Sequence, residues 1–158
     1  MSGPPREPAA VAGSAPPLPI AAHRDDILSA LLVHPVIVVA GETGSGKSTQ
    51  LPRYCLDSGR GVSGKIAHTQ PRRLAARALA TRISAELQQP LGATVGFRVR
   101  FEDQVSPESR LILMTDGMLL TDIARDPDLC HYDRIKNCAL RSNRLHVPQQ
   151  EYQRLKLQ

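Results

Sequence analysis

The run Gly41-Glu42-Thr43-Gly44-Ser45-Gly46-Lys47-Ser48-Thr49 has the residue types and spacing to hold a polyphosphate. A glycine, four residues and then Gly-Lys-Ser form a phosphate-binding loop. Gly41, Gly44 and Gly46 can take positive φ, which turns consecutive backbone N–H groups toward one anion. Lys47 brings a point charge to the outer phosphates, and the Ser48 hydroxyl can ligate Mg²⁺. The chemistry implied is binding of a nucleoside triphosphate with its metal.

Such a loop works only when a strand delivers it and a helix leaves it. Val36-Ile37-Val38-Val39-Ala40 is apolar and β-branched, which predicts a buried strand. From about Ser48 to Cys55 the only turn signal is Pro52, so a helix can open there and point its positive dipole end at the loop.

Alternating elements extend to both sides. Ile27, Leu28, Leu31 and Leu32 fall at helical spacing between His23 and His34, with Asp25 and Asp26 in the first turn. Residues 65–69 read as a second strand, in which His68 is expected to be packed rather than reactive. The alanine-rich run from Leu74 to about Gln88 reads as a helix, ended by Pro90 and Gly92. Residues 95–101 alternate and predict a strand with Arg98 and Arg100 on one face. Another strand is expected at 110–114 and another helix from Thr115 to about Arg125. Strands alternating with helices around a phosphate loop imply α/β architecture, a mostly parallel sheet in three layers.

The 158-residue length suits one domain or part of one. Aromatics make up 3% and tryptophan is absent, so the core must be aliphatic. Residues 1–19 hold Pro4, Pro5, Pro8, Pro16, Pro17 and Pro19 and read as a disordered leader. The net charge of +5 suggests a polyanionic partner. Most of it lies late in the chain, where Lys136, Arg141, Arg144, Arg154 and Lys156 face only Glu151. Cys55, Cys130 and Cys138 form no close pair, which fits a reducing, cytoplasmic setting. Cys130, His131, Cys138 and His146 match no common zinc-finger spacing. No apolar run is long enough to span a membrane, and no secretory signal is expected at the N-terminus.

Beyond the loop, Thr69-Gln70-Pro71-Arg72-Arg73-Leu74-Ala75-Ala76 resembles motif Ia of DEAH-box helicases, and Thr115-Asp116-Gly117-Met118-Leu119-Leu120 resembles their motif Ib. The loop, extended to Pro52, resembles their motif I, and Val95 to Asp103 is similar to the strand and turn after motif Ia. Order and spacing agree, and the resemblance is nearest to bacterial HrpA-type ATP-dependent RNA helicases. It covers residues 18–135, most of a RecA-like P-loop domain, and leaves 136–158 as a divergent basic tail. It implies ATP as the nucleotide, with Gly41 to Thr49 on its phosphates and Arg82 stacked on its base. It also implies single-stranded RNA held by Thr69, Gln70, Arg72, Arg73, Arg100, Thr115 and Asp116. Guanidinium forks suit phosphate contacts that ignore sequence. A solvated helix start would equally account for Arg72, Arg73 and Arg77, an exposed strand face for Arg98 and Arg100, a surface charge for Arg82 and a helix cap for Asp116.

The family's next element is a strand ending in Asp-Glu-Ala-His, whose carboxylates support the metal and the attacking water. Family spacing places those four at Cys138, Ala139, Leu140 and Arg141, which supply no carboxylate. The resemblance therefore implies a domain whose pattern breaks near Ile135, as in a truncated or misread gene. Such a chain would bind nucleotide and RNA with little hydrolysis and no unwinding. The loss of a central strand would leave it marginal and prone to aggregate. A non-catalytic RNA- or nucleotide-binding module and a small P-loop kinase are the competing readings.

Overall fold

Apolar side chains that alternate between two faces of a sheet decide this architecture. In the computed structural model, which describes residues 17–34, 36–137 and 152–156, a 3₁₀ turn (Pro19–His23) leads into helix α1 (Arg24–Val33). Strand β1 (Val36–Ala40) and helix α2 (Lys47–Asp57) flank the glycine loop. Strand β2 (Lys65–Gln70), helix α3 (Arg73–Glu86) and strand β3 (Val95–Val99) follow. Then come β4 (Glu102–Gln104), β5 (Leu111–Thr115), helix α4 (Asp116–Arg125), β6 (Tyr132–Asn137) and β7 (Tyr152–Lys156).

Five strands form one sheet in the order β4-β3-β5-β2-β6. All neighbours are parallel except the β3–β4 hairpin. In β2 and β5 the side chains divide by parity. Ile66, Leu111 and Leu113 enter a core with Ile27, Leu31, Leu51, Ala76, Ala80 and Ile83 from α1, α2 and α3. Ala67, Ile112 and Met114 enter a second core with Leu119 of α4. The sheet therefore lies between two helical layers, and the expected three-layer α/β fold is present. His68 is fully buried in β2, as its place in the strand predicts.

Four expectations change. Pro19 opens the 3₁₀ turn and Ile20 N–H donates to the Ser45 carbonyl at 3.1 Å, so the end of the stretch read as a leader lies against the phosphate loop. Residues 1–16 lie outside the described residues. The β3 strand stops at Val99, because Arg100 and Phe101 form the hairpin turn, with Phe101 at φ 71°. Arg98 therefore does not share a face with Arg100. It turns under α4, where Asp122 and the Tyr132 hydroxyl hold its guanidinium.

The strand thought lost is present, since β6 runs through Ile135 to Asn137 and pairs in parallel with β2. The tail also contributes a strand. β7 pairs in parallel with β1, from Val36 beside Tyr152 to Ala40 beside Lys156. Among the described residues, β1 takes its strand partner from β7 and not from the five-stranded sheet.

Candidate functional site

In a parallel sheet every strand ends at the same edge, and loops leaving that edge build the site. Gln70 at the end of β2 is the register partner of Thr115 at the end of β5. The two stretches that resemble motifs Ia and Ib, 45 residues apart in the chain, are thereby set side by side.

The phosphate loop has the form its spacing predicts, with one correction. Gly44 and Gly46 take positive φ, 87° and 93°, whereas Gly41 does not and serves through its carbonyl. A Cβ at Gly44 would meet nothing within 4 Å, so the loop is open on that side. A Cβ at Gly46 would lie 2.8 Å from Leu18 Cδ1 and 3.0 Å from Ile20 Cγ2. Gly46 caps α2, which places its N-terminal N–H groups at the loop.

Gly41, Glu42, Thr43, Gly44 and Ser48 are exposed, while Ser45 and Thr49 are buried. Ser45 Oγ donates to the Glu42 carbonyl at 2.8 Å, and Thr49 Oγ1 donates to the Gly46 carbonyl at 3.2 Å. These two hydroxyls hold the loop rather than present themselves to a ligand. Lys47 Nζ lies across it, 2.7 Å from the Gly41 carbonyl, 2.5 Å from that of Glu42 and 2.8 Å from Ser45 Oγ.

Open backbone, a cation laid across it and a helix N-terminus together fit a phosphate chain. Pro52 inside α2 lacks an N–H, which leaves the Ser48 carbonyl without its intrahelical donor. The Ser48 hydroxyl is exposed and could serve Mg²⁺; the sequence expectation put the carboxylates that would support such a metal at positions 138–141. Cys138, Ala139, Leu140 and Arg141 lie outside the described residues and bear no carboxylate. Among the described residues no three His, Cys, Asp or Glu side chains cluster to hold a metal.

The seven residues implied at the nucleic-acid face separate by burial. Arg72, which precedes α3, and Arg73, its first residue, are exposed and meet no carboxylate among the described residues. Arg100 is exposed in the β3–β4 turn and lies 4.8 Å over the Phe101 ring, itself 89% exposed. Thr69 is fully buried, and the amide of buried Gln70 lies 3.0 Å from His68 Nε2. Both side chains shape the turn and offer solvent little. Thr115 is the N-cap of α4, so Asp116 is not the cap but the first residue of the helix. Its Oδ1 is buried without a hydrogen-bond partner among the described residues.

Arg82 is exposed on α3, and its Nε donates to Glu86 Oε1 at 3.1 Å. Glu86 also receives Arg53 and Gln50 from α2. That cluster was missed in the sequence. Its only signal was Arg82 and Glu86 four apart on a predicted helix. Leu18 and Ile20, which back Gly46, were missed because a Pro-rich context hid them.

A cavity of 1020 Å³ lies elsewhere, where β2 and β5 begin, lined by Lys65, Ser106, Arg110, Asp126, His131 and Tyr132. It is at the edge of the five-stranded sheet opposite Gln70 and Thr115. No helix among the described residues is long and apolar enough to cross a membrane.

No protein-family model matches the chain. Over 118 residues, 75% of its length, it is 53% identical to the ATP-dependent RNA helicase HrpA of Escherichia coli (strain K12). Over 115 residues, 73% of its length, it is 53% identical to the ATP-dependent RNA helicase HrpA homolog of Haemophilus influenzae. The matched segment is 9% of each of these relatives, so the chain spans about a tenth of their length.

Proposed function

We propose, from the premise that the matched segment of this chain belongs to the HrpA type of DEAH-box RNA helicases, that it binds ATP in the 41–49 loop and single-stranded RNA along the adjoining strand ends. The relatives are ATP-dependent RNA helicases by name. The observation that carries the reading is the pairing of Gln70 with Thr115, which joins the two RNA-type stretches at one edge. Gly44, Gly46 and Lys47 would hold the phosphates by backbone N–H groups and one ammonium, and Ser48 would take the metal. Arg72, Arg73 and Arg100 are the exposed cations on this edge. They would grip the strand by its phosphates, so binding should weaken with salt and ignore sequence.

Turnover is not expected of this chain. Metal-assisted hydrolysis needs a carboxylate-supported metal and an oriented water. Cys138, Ala139, Leu140 and Arg141 provide neither. The chain then acts as a binding module, and RNA binding that ignores nucleotide is the second reading, favoured by the exposure of Arg72 and Arg73, which meet no carboxylate among the described residues.

Calorimetric titration with a non-hydrolysable ATP analogue tests the reading. Lys47→Ala should weaken binding at least about tenfold, the effect of losing a charge-assisted contact. ATP turnover should stay at background with and without single-stranded RNA. RNA-stimulated turnover that disappears in Lys47→Ala would overturn the binding-only assignment.

A further inference from the structure

Glu86 stands at the end of α3, 27% exposed, where it joins α3 to α2. Its Oε2 accepts from Arg53 Nη1 at 3.0 Å and from Gln50 Nε2 at 3.3 Å, both on α2. Its Oε1 accepts from Arg82 Nε at 3.1 Å. Gln50 Nε2 also reaches Thr49 Oγ1 at 3.4 Å, and Thr49 Oγ1 donates to the Gly46 carbonyl at 3.2 Å. One path of hydrogen bonds therefore runs from Arg82 through Glu86, Gln50 and Thr49 to the last glycine of the phosphate loop.

We infer that Glu86 is a positioning residue, which fixes the Arg82 guanidinium for the nucleotide base. This rests on the reading of the 41–49 loop as a nucleotide site and of Arg82 as its base-side contact.

The physical case is one of geometry and entropy. An exposed arginine samples many rotamers, and holding it in one costs conformational entropy. A carboxylate four residues on, itself pinned by two donors from α2, removes much of that freedom before any ligand arrives. The bond uses Nε, so the rest of the guanidinium plane stays available for a base. Burial works to raise the Glu86 carboxyl, and the hydrogen bonds from Arg82 and Arg53 outweigh it, so the group lies below its ordinary 4.5. It is a carboxylate at neutral pH and can serve both arginines at once.

Inorganic triphosphate separates this role from simple support of the fold, because it occupies the loop but has no base. Titrations of the full chain with the ATP analogue and with inorganic triphosphate should be run on wild type, Glu86→Ala, Glu86→Gln and Arg82→Ala. Glu86→Ala should weaken the ATP analogue on the order of tenfold, the effect of one charge-assisted bond, and change triphosphate less than about twofold. Glu86→Gln, which keeps an acceptor, should lie between. In an Arg82→Ala background the Glu86 effect should vanish, since coupled groups are not additive.

Equal loss for both ligands, or loss for neither, would overturn the inference and leave the loop reading intact. If wild type binds the ATP analogue no more tightly than triphosphate, the base contact at Arg82 falls and the inference with it. If wild type binds neither, the nucleotide site itself is refuted.

Discussion

At the scale of single residues, the phosphate loop depends on two glycines for different reasons. Gly44 and Gly46 both take positive φ, a conformation that costs an L-residue roughly 1–2 kcal/mol. Only Gly46 is also enclosed, with Leu18 and Ile20 within 3.0 Å of where a Cβ would stand. Gly44→Ala should therefore lower stability by about 1 kcal/mol through the backbone alone. Gly46→Ala should cost more, about 2–3 kcal/mol, because a packed neighbour must shift as well. Denaturant midpoints of the two variants test this, and equal losses would show that Leu18 and Ile20 do not brace the loop. Lys47 teaches a related lesson. Its three ammonium donors reach loop oxygens, so phosphate binding must exchange contacts rather than fill an unused charge.

At the scale of elements, Tyr132 links three of them. Its hydroxyl donates to Asp122 of α4 at 2.5 Å and receives Arg98 of β3 at 3.0 Å, from a position at the start of β6. Burial and the Asp122 hydrogen bond push its phenol up to about 12 from an ordinary 10. The folded protein thus keeps this proton after the unfolded chain has lost it. The stabilisation is whole below pH 10 and is lost as pH rises from 10 to about 12. Burial also raises Tyr54, so wild type carries more than one such contribution. Urea unfolding across this range should show stability falling less steeply for Tyr132→Phe than for wild type. Identical slopes would mean the phenol is not held this way. Glu102 and Asp103 act at the sheet edge, where the three exposed residues of β4 present charge and shortness against edge pairing by another chain.

At the scale of the whole molecule, one apolar core under α1, α2 and α3 joins the elements around the 41–49 loop to strands β2, β3 and β5. Phe97 is the largest side chain fully enclosed in it, 1% exposed. Phe97→Ala should cost about 3–5 kcal/mol, a large part of the 5–15 kcal/mol typical of a domain. Differential scanning calorimetry should show a much lower and broader transition, and an unchanged Tm would place Phe97 outside the cooperative unit. The β6 strand beside β2 shields an edge that the sequence pattern had left empty.

The strand before the glycine loop, the helix after it and the elements that carry residues 69–76 and 115–120 were legible in the sequence because each is coded by neighbouring residues. Val36–Ala40 matched its predicted bounds, and the other predicted helices and strands through Arg125 fell within a few residues of theirs, whereas the short strand β4 was not expected. Glycine spacing, β-branched runs and alanine-rich stretches act through local dihedral preference, which contiguous residues settle. Distant contacts decided the rest. Arg98 and Arg100 look alike in an alternating strand, yet Asp122, 24 residues on from Arg98, draws that one under α4 while a turn exposes the other. Glu86 gains its partners on α2 from 33 and 36 residues away. The tail past Ile135 carries no family pattern, yet β7 supplies the strand partner of β1. Backbone pairing needs only an extended chain at the right edge, a match of positions that local residue types do not specify.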